Sequence, residues 1–230
     1  MQVKEAILGR RSIRNFLNKE VPENLIKEIL SDCQWAPSWG NTQPWELMVV
    51  SGPPLEQFKQ KNKDTLLSGV KPNPEIQMPE VFPPQLKQRY TEVGKSVLQS
   101  LSIGREDLDG RLNYYGDMFT LFDAPVMVLS LLDKDVLLEY AMLDVGLCLQ
   151  TMLLSAHDKG LGAIVTAASV NYPDLLRSLF PIDDNKTIVI GAVLGWPDPK
   201  APVNCFDRKR ADFNEVVTFI NSFHEFIRQD

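Results

Sequence analysis

Residues Leu137–Lys159 carry the longest helical pattern in the chain, and its apolar content constrains the fold more than any other feature. Leu137, Ala141, Val145, Cys148, Leu149, Met152 and Ala156 recur at helical spacing and make a wide apolar face. Such a face must be buried against other elements of a layered domain. Asp144 and Gln150 are polar residues in this otherwise apolar helix. Gly160-Leu161-Gly162 follows and supplies the glycine expected after a helix C-terminus.

The partners for that face are short apolar runs. Leu47–Val50, closed by Ser51-Gly52-Pro53-Pro54, reads as a buried strand, as do Val126–Leu132, Ala163–Thr166 and Thr187–Leu194. Between them lie further helices. Residues 22–35 place Leu25, Ile26, Ile29, Leu30 and Cys33 at helical spacing, with Pro22 in the first turn and Ala36-Pro37 as the stop. Gln57–Lys63 reads as a solvated helix face, and Leu86, Tyr90, Val93, Val97 and Leu101 as one face of another helix. Pro173–Leu179 is a short helix, and Phe213, Val216, Val217, Ile220, Phe223, Phe226 and Ile227 follow helical spacing to the end. From about residue 65, and densest over 69–84, Pro72, Pro74, Pro79, Pro83 and Pro84 mark an irregular excursion, expected to be functional or mobile. With no repeat and no clean linker, residues 1–230 read as a single α+β domain.

Charge narrows the function. The 230 residues carry a formal net charge of −6, which argues against nucleic acid and anionic membranes as partners. No apolar run is long enough to span a bilayer, and no targeting signal opens the chain. Cys33, Cys148 and Cys205 are odd in number and far apart, which fits a reducing cytoplasm rather than a disulfide framework or zinc cluster. His157 and His224 are the only histidines, so no metal site and no histidine triad is expected.

Against this acidic background, Arg10-Arg11-Ser12-Ile13-Arg14 stands out. Three guanidinium groups beside a hydroxyl suit a phosphate, which arginine grips bidentately. They would equally suit a solvated helix end, where cations meet the helix dipole. Arg208-Lys209-Arg210, read alone, is surface charge; the two clusters together favour a shared phosphate site. Ala36-Pro37-Ser38-Trp39-Gly40-Asn41-Thr42-Gln43-Pro44-Trp45 is a loop of amides, hydroxyls and indoles suited to the edge of a flat polar ring. Gly160-Leu161-Gly162 is no dinucleotide fingerprint, because it follows a helix and lacks the third glycine. The pattern suggests a phosphorylated aromatic cofactor held mainly by side chains.

The Arg10–Arg14 cluster and Ala36-Pro37-Ser38 with Asn41 and Gln43-Pro44-Trp45 resemble the flavin-binding motifs of the nitroreductase family. The likeness continues through the helix containing Asp144 and Gln150, Gly160-Leu161-Gly162 and Tyr172-Pro173. It reaches the tail Gly195-Trp196-Pro197-Asp198 with Ala201-Pro202-Val203-Asn204, which is similar to the nitrobenzoate-reductase-like branch.

The resemblance implies an intertwined FMN-dependent homodimer with a central, mostly antiparallel sheet wrapped by helices. It implies Arg10 and Ser12, with Arg11 alongside, at the phosphate and ribityl chain, and Arg14 at the N1/C2-carbonyl edge of the ring. Arg208 and Arg210 would close over the phosphate. Pro37, Ser38 and Asn41 would come from the partner subunit, and backbone N–H groups near Thr166, Ala167 and Ala168 would approach N5. No side chain is expected to be catalytic. Two departures are visible. Asp117-Met118-Phe119-Thr120-Leu121-Phe122 lacks the asparagine and basic residue that many members carry there, and Ala167-Ala168-Ser169 stands in place of the glutamate-glycine pair of some members.

The implied activity is a ping-pong transfer of hydride from NADH or NADPH through flavin N5 to a flat acceptor, a nitroaromatic or a quinone. Trp39 and the loop at 69–84 are the candidates for the substrate wall, with packing across the dimer as the alternative role of Trp39. Reductive dehalogenation, reduction of an activated alkene, and a non-catalytic flavin-binding redox protein remain the rival readings.

Overall fold

A computed structural model describes residues 1–220. Four strands, β1 (Trp45–Ser51), β2 (Val126–Asp133), β3 (Gly162–Thr166) and β4 (Lys186–Gly195), form one sheet in the order β1-β2-β4-β3. Every neighbouring pair is antiparallel. Eight helices accompany them among the described residues: α1 (Val3–Gly9), α2 (Glu23–Cys33), α3 (Gly52–Leu67), α4 (Pro84–Ser100), α5 (Leu108–Phe119), α6 (Leu138–Asp158), α7 (Pro173–Leu179) and α8 (Phe213–Val216).

β2 is buried from Val126 to Leu132, apolar except for Ser130, because both of its faces are covered. Val126, Val128 and Leu132 meet α2 and α6 through Ile29, Val145, Leu149 and Met152. Met127, Leu129 and Leu131 meet Leu55 and Phe58 of α3 and Leu176 of α7. A bulge adjusts the register: Ser130 pairs with Ile190 but Leu131 pairs with Ile188, which leaves Val189 out of the ladder. Ile188 and Val193, five residues apart, thereby share one face.

The α6 C-terminus closes as expected. Gly160 takes φ +81°, and Leu161 N donates to Ala156 O (2.8 Å) while Gly160 N donates to His157 O (3.0 Å).

Elsewhere the structure departs from the sequence reading. Pro22 stands just before α2 with an extended ψ of 137°, outside its first turn. Gly52-Pro53-Pro54 both ends β1 and starts α3, since first-turn prolines lack only N–H groups that would have no helical partner. α5 carried no clean apolar period; it is started by Asp107, whose side chain accepts from Gly110 N (2.8 Å). Among the described residues the C-terminal helical segment is Phe213–Val216, which ends where Val217 is extended (φ −127°, ψ 127°). Phe223, Phe226 and Ile227 lie outside the described residues.

The proline-rich excursion runs from 68 to 83 and is tied down. Glu75 accepts from Arg177 Nη2 (2.7 Å) and Ile188 N (2.7 Å), Asn73 N donates to Asn171 O (2.9 Å), and Tyr172 Oη donates to Val70 O (3.0 Å). Among the described residues no helix is long and apolar enough to cross a membrane.

Candidate functional site

The segment after α1 runs along the free edge of β3. Ser12 forms a parallel bridge with Ala163, and Ile13 N donates to Ala163 O (3.1 Å). Ile13 is buried directly over Gly162, where a Cβ would sit 2.5 Å from Ile13 Cγ1. Only glycine permits that approach. Buried Asn204 locks the other side: its Oδ1 accepts from Arg14 N (2.8 Å), and its Nδ2 donates to Asn15 O (2.8 Å) and Asp198 O (3.0 Å). The arginines of this segment thus project from an anchored backbone.

They project into a cleft of about 650 Å³. Arg10, Arg11, Ser12 and Arg14 line it together with Arg208 and Arg210, which return from about 200 residues later. Arg208 donates to Leu8 O and Arg10 O, and Arg11 donates to Phe206 O with its guanidinium carbon 5.7 Å from the Phe206 ring centroid. Seven cationic side chains line the cleft against four carboxylates, in a chain whose net charge is −6.

This crowding leaves a deficit of negative charge. Burial, and then the Arg210 cation, depresses the Arg10 pKa. Burial, followed by Arg11, Arg210 and Arg10, depresses that of Arg208. Arg10 Nε is buried with no hydrogen-bond partner among the described residues. An orphaned charged donor among like charges is costly unless a multi-acceptor anion satisfies it, and a phosphate group fits that requirement.

Nearby, burial raises the Tyr114 phenol pKa, an effect the adjacent Arg14 guanidinium opposes. Tyr114 packs against Phe122 at 6.1 Å between centroids. Phe122 lies in a turn where Leu121, Phe122 and Asp123 all have φ near +57° and where Leu121 is fully buried. This left-handed run costs backbone energy that the packing around Ile13 and Phe16 must offset. The stretch lacking the family's polar pair therefore supports the arginine segment by packing.

The other anticipated residues lie elsewhere. Pro37, Ser38, Trp39 and Asn41 line neither this cleft nor a second one. Asp144, the polar interruption in α6, is buried there and accepts from Trp39 N (3.0 Å), fixing the turn Trp39–Asn41. Ser38 Oγ accepts from Gln43 N (2.9 Å), and Gly40, Asn41 and Gln43 all have positive φ. Trp39 is exposed beside Tyr140, 6.1 Å between centroids. Thr166 ends β3, and Ala167–Ser169 form a tight turn braced by Asn62 Nδ2, which donates to Ala168 O (3.0 Å). Ala167 lines the second cleft, about 360 Å³, with Pro74, Ile76 and Met78 of the excursion and Met142 and Gly146 of α6.

The nitroreductase family model matches residues 7–196. The chain belongs to the nitroreductase family. Among its family relatives are the 4-nitrobenzoate reductase of Pseudomonas putida, 32% identical with 86% of each chain covered, and the chloronitrobenzene nitroreductase of Comamonas testosteroni, 31% identical over 95% of this chain and 97% of the relative. Nitroreductase folds also match in structure. The FMN- and NADPH-dependent nitroreductase NfnB of Sphigopyxis sp. strain HMH superposes with a TM-score of 0.91 at 28% identity, covering 96% of this chain and all of that one. The FMN-dependent NfnB of Mycobacterium smegmatis, solved with NADPH, gives 0.88 at 26% identity, with 94% and 97% covered. Within this nitroreductase, Arg208 and Arg210 lie beyond the residues that the family model matches.

Sequence reasoning named Asn204 only as part of the tail motif, without its anchoring role, and missed Tyr114 and the α4 face made by Gln85, Gln88, Arg89 and Glu92. The last had a signal. Its polar residues recur at i, i+3, i+4 and i+7 beside the apolar face that was read.

Proposed function

We propose that the chain is an FMN-dependent NAD(P)H oxidoreductase that reduces nitroaromatics or quinones. The observation that carries this reading is the buried Arg10 Nε, without a partner among the described residues and set among crowded guanidinium groups. Arg10 and Ser12, with Arg11 alongside, hold the cofactor phosphate and ribityl chain, while Arg208 and Arg210 close over the phosphate. Arg14, its backbone held by Asn204, presents a cation to the N1/C2-carbonyl edge of the ring. The first amides of the turn after Thr166, at Ala167 and Ala168, have no partner within that turn and would be the donors to N5 of a bound flavin. When bound, FMN supplies the two-electron chemistry between the nicotinamide donor and the acceptor. Protons for the acceptor would come from solvent, since no side chain is assigned to deliver them.

The site needs a second copy. Tyr140, Leu143 and Leu147 form an exposed apolar stripe on α6, next to exposed Trp39. Self-association along this stripe would bury it and bring Pro37, Ser38 and Asn41 of one protomer to the flavin of the other. Trp39 then walls either the acceptor or the interface. The three free thiols suit the cytoplasm.

The test is anaerobic addition of NADH or NADPH to FMN-loaded protein. Bleaching of the visible flavin band is expected, followed by recovery with nitroaromatic, quinone or halophenol acceptors. A bound flavin that neither donor bleaches would refute the oxidoreductase reading. Arg10→Gln should weaken FMN binding by roughly 10–100-fold, the value of one or two charge-assisted bonds.

A further inference from the structure

The flavin phosphate accounts for the arginines of the edge segment and of the chain after β4, and leaves another wall of the same cleft unexplained. That wall is α4, which presents Gln85, Gln88 and Arg89 on one face. Arg89 is ion-paired to Glu215 on α8, and Gln88 Nε2 donates to Glu92 Oε1 (3.0 Å). Both members of the Arg89–Glu215 pair are solvent-exposed, so the pair is cheap to open.

We infer that Arg89 selects NADPH over NADH by binding the 2′-phosphate on the donor's adenosine. The dianionic phosphate displaces the Glu215 carboxylate and offers more acceptors than it, while Gln85 and Gln88 face the ribose. NADH has a 2′-hydroxyl at that position and offers no charge to replace Glu215. The assignment rests on the cleft being the flavin site of an NAD(P)H-dependent enzyme, and it adds the residue that discriminates between donors.

The experiment uses FMN-loaded protein. Calorimetric titration with 2′,5′-ADP and with 5′-AMP is combined with kcat/KM for NADPH and NADH. The wild type should bind 2′,5′-ADP at least about tenfold more tightly than 5′-AMP, and Arg89→Gln should abolish that difference and lower the NADPH/NADH ratio of kcat/KM at least about tenfold. Glu215→Gln should move the ratio the other way, by about two- to fivefold, because it removes the competitor. Equal binding of the two nucleotides by the wild type, or an Arg89→Gln enzyme whose ratio is unchanged, would overturn the assignment. Retained FMN that both donors bleach equally would remove the role of Arg89 and leave the oxidoreductase reading standing; a protein that cannot retain FMN would remove both.

Discussion

Replacing Asn204 by alanine would strip three hydrogen bonds from a side chain that is only 4% exposed. Arg14 N would lose its acceptor, and the carbonyls of Asn15 and Asp198 would lose their donor. A net loss of about 0.5–1.5 kcal/mol per bond, toward the upper end because the orphaned groups stay buried, gives about 2–4 kcal/mol of destabilisation. In a chain of this length that corresponds to a melting temperature lower by roughly 5–15 °C. Urea denaturation of the FMN-free protein measures the stability term, and flavin fluorescence quenching measures the consequence for the site. FMN affinity should fall together with stability, since Arg14 is held at its backbone by this residue. A change below about 1 kcal/mol with unaltered FMN affinity would refute the claim that Asn204 anchors the arginine segment.

Three further perturbations test the framework. Gly162→Ala drives a methyl into Ile13, so stability should fall by about 1–3 kcal/mol and FMN binding should weaken; a neutral result in both would show that the segment can shift freely. Glu75→Gln weakens the tie between the excursion and Arg177, and hydrogen exchange at residues 70–79 should accelerate; unchanged protection would mean that packing alone holds the segment. Burial raises the Asp117 pKa above its ordinary 3.8. Its ionisation therefore disfavours the fold as pH rises past that value, so Asp117→Asn should stabilise the protein at pH 7 and give no gain below about pH 4, as measured by urea unfolding; an equal gain at both pH values would exclude an electrostatic cause.

Much of the architecture was legible because its signals are local. β2 is a run that is apolar but for Ser130, and α6 advertised itself by its wide face and by the glycine at its end. Misreadings arose where one residue serves two elements, as Gly52-Pro53-Pro54 does, or where a helix rests on a cap and on packing, as α5 does with Asp107 and with Gly116 against Lys63. Asp144 looked anomalous in sequence; its partner, the Trp39 amide, lies 105 residues away.

By itself the sequence determined which groups were available: a surplus of guanidinium groups in an acidic chain, with a hydroxyl among them. Charge and residue type are properties of single positions, so they survive without coordinates. Only the tertiary structure decided which of those groups meet. The β3 edge, Gly162 and Asn204 bring residues 10–14 to residues 208–210, whereas the Pro37–Asn41 loop is held on α6, away from that cleft. Those contacts span from about 100 to about 200 residues of chain, and their cost in loop entropy is met only when the sheet and its two helical layers form together.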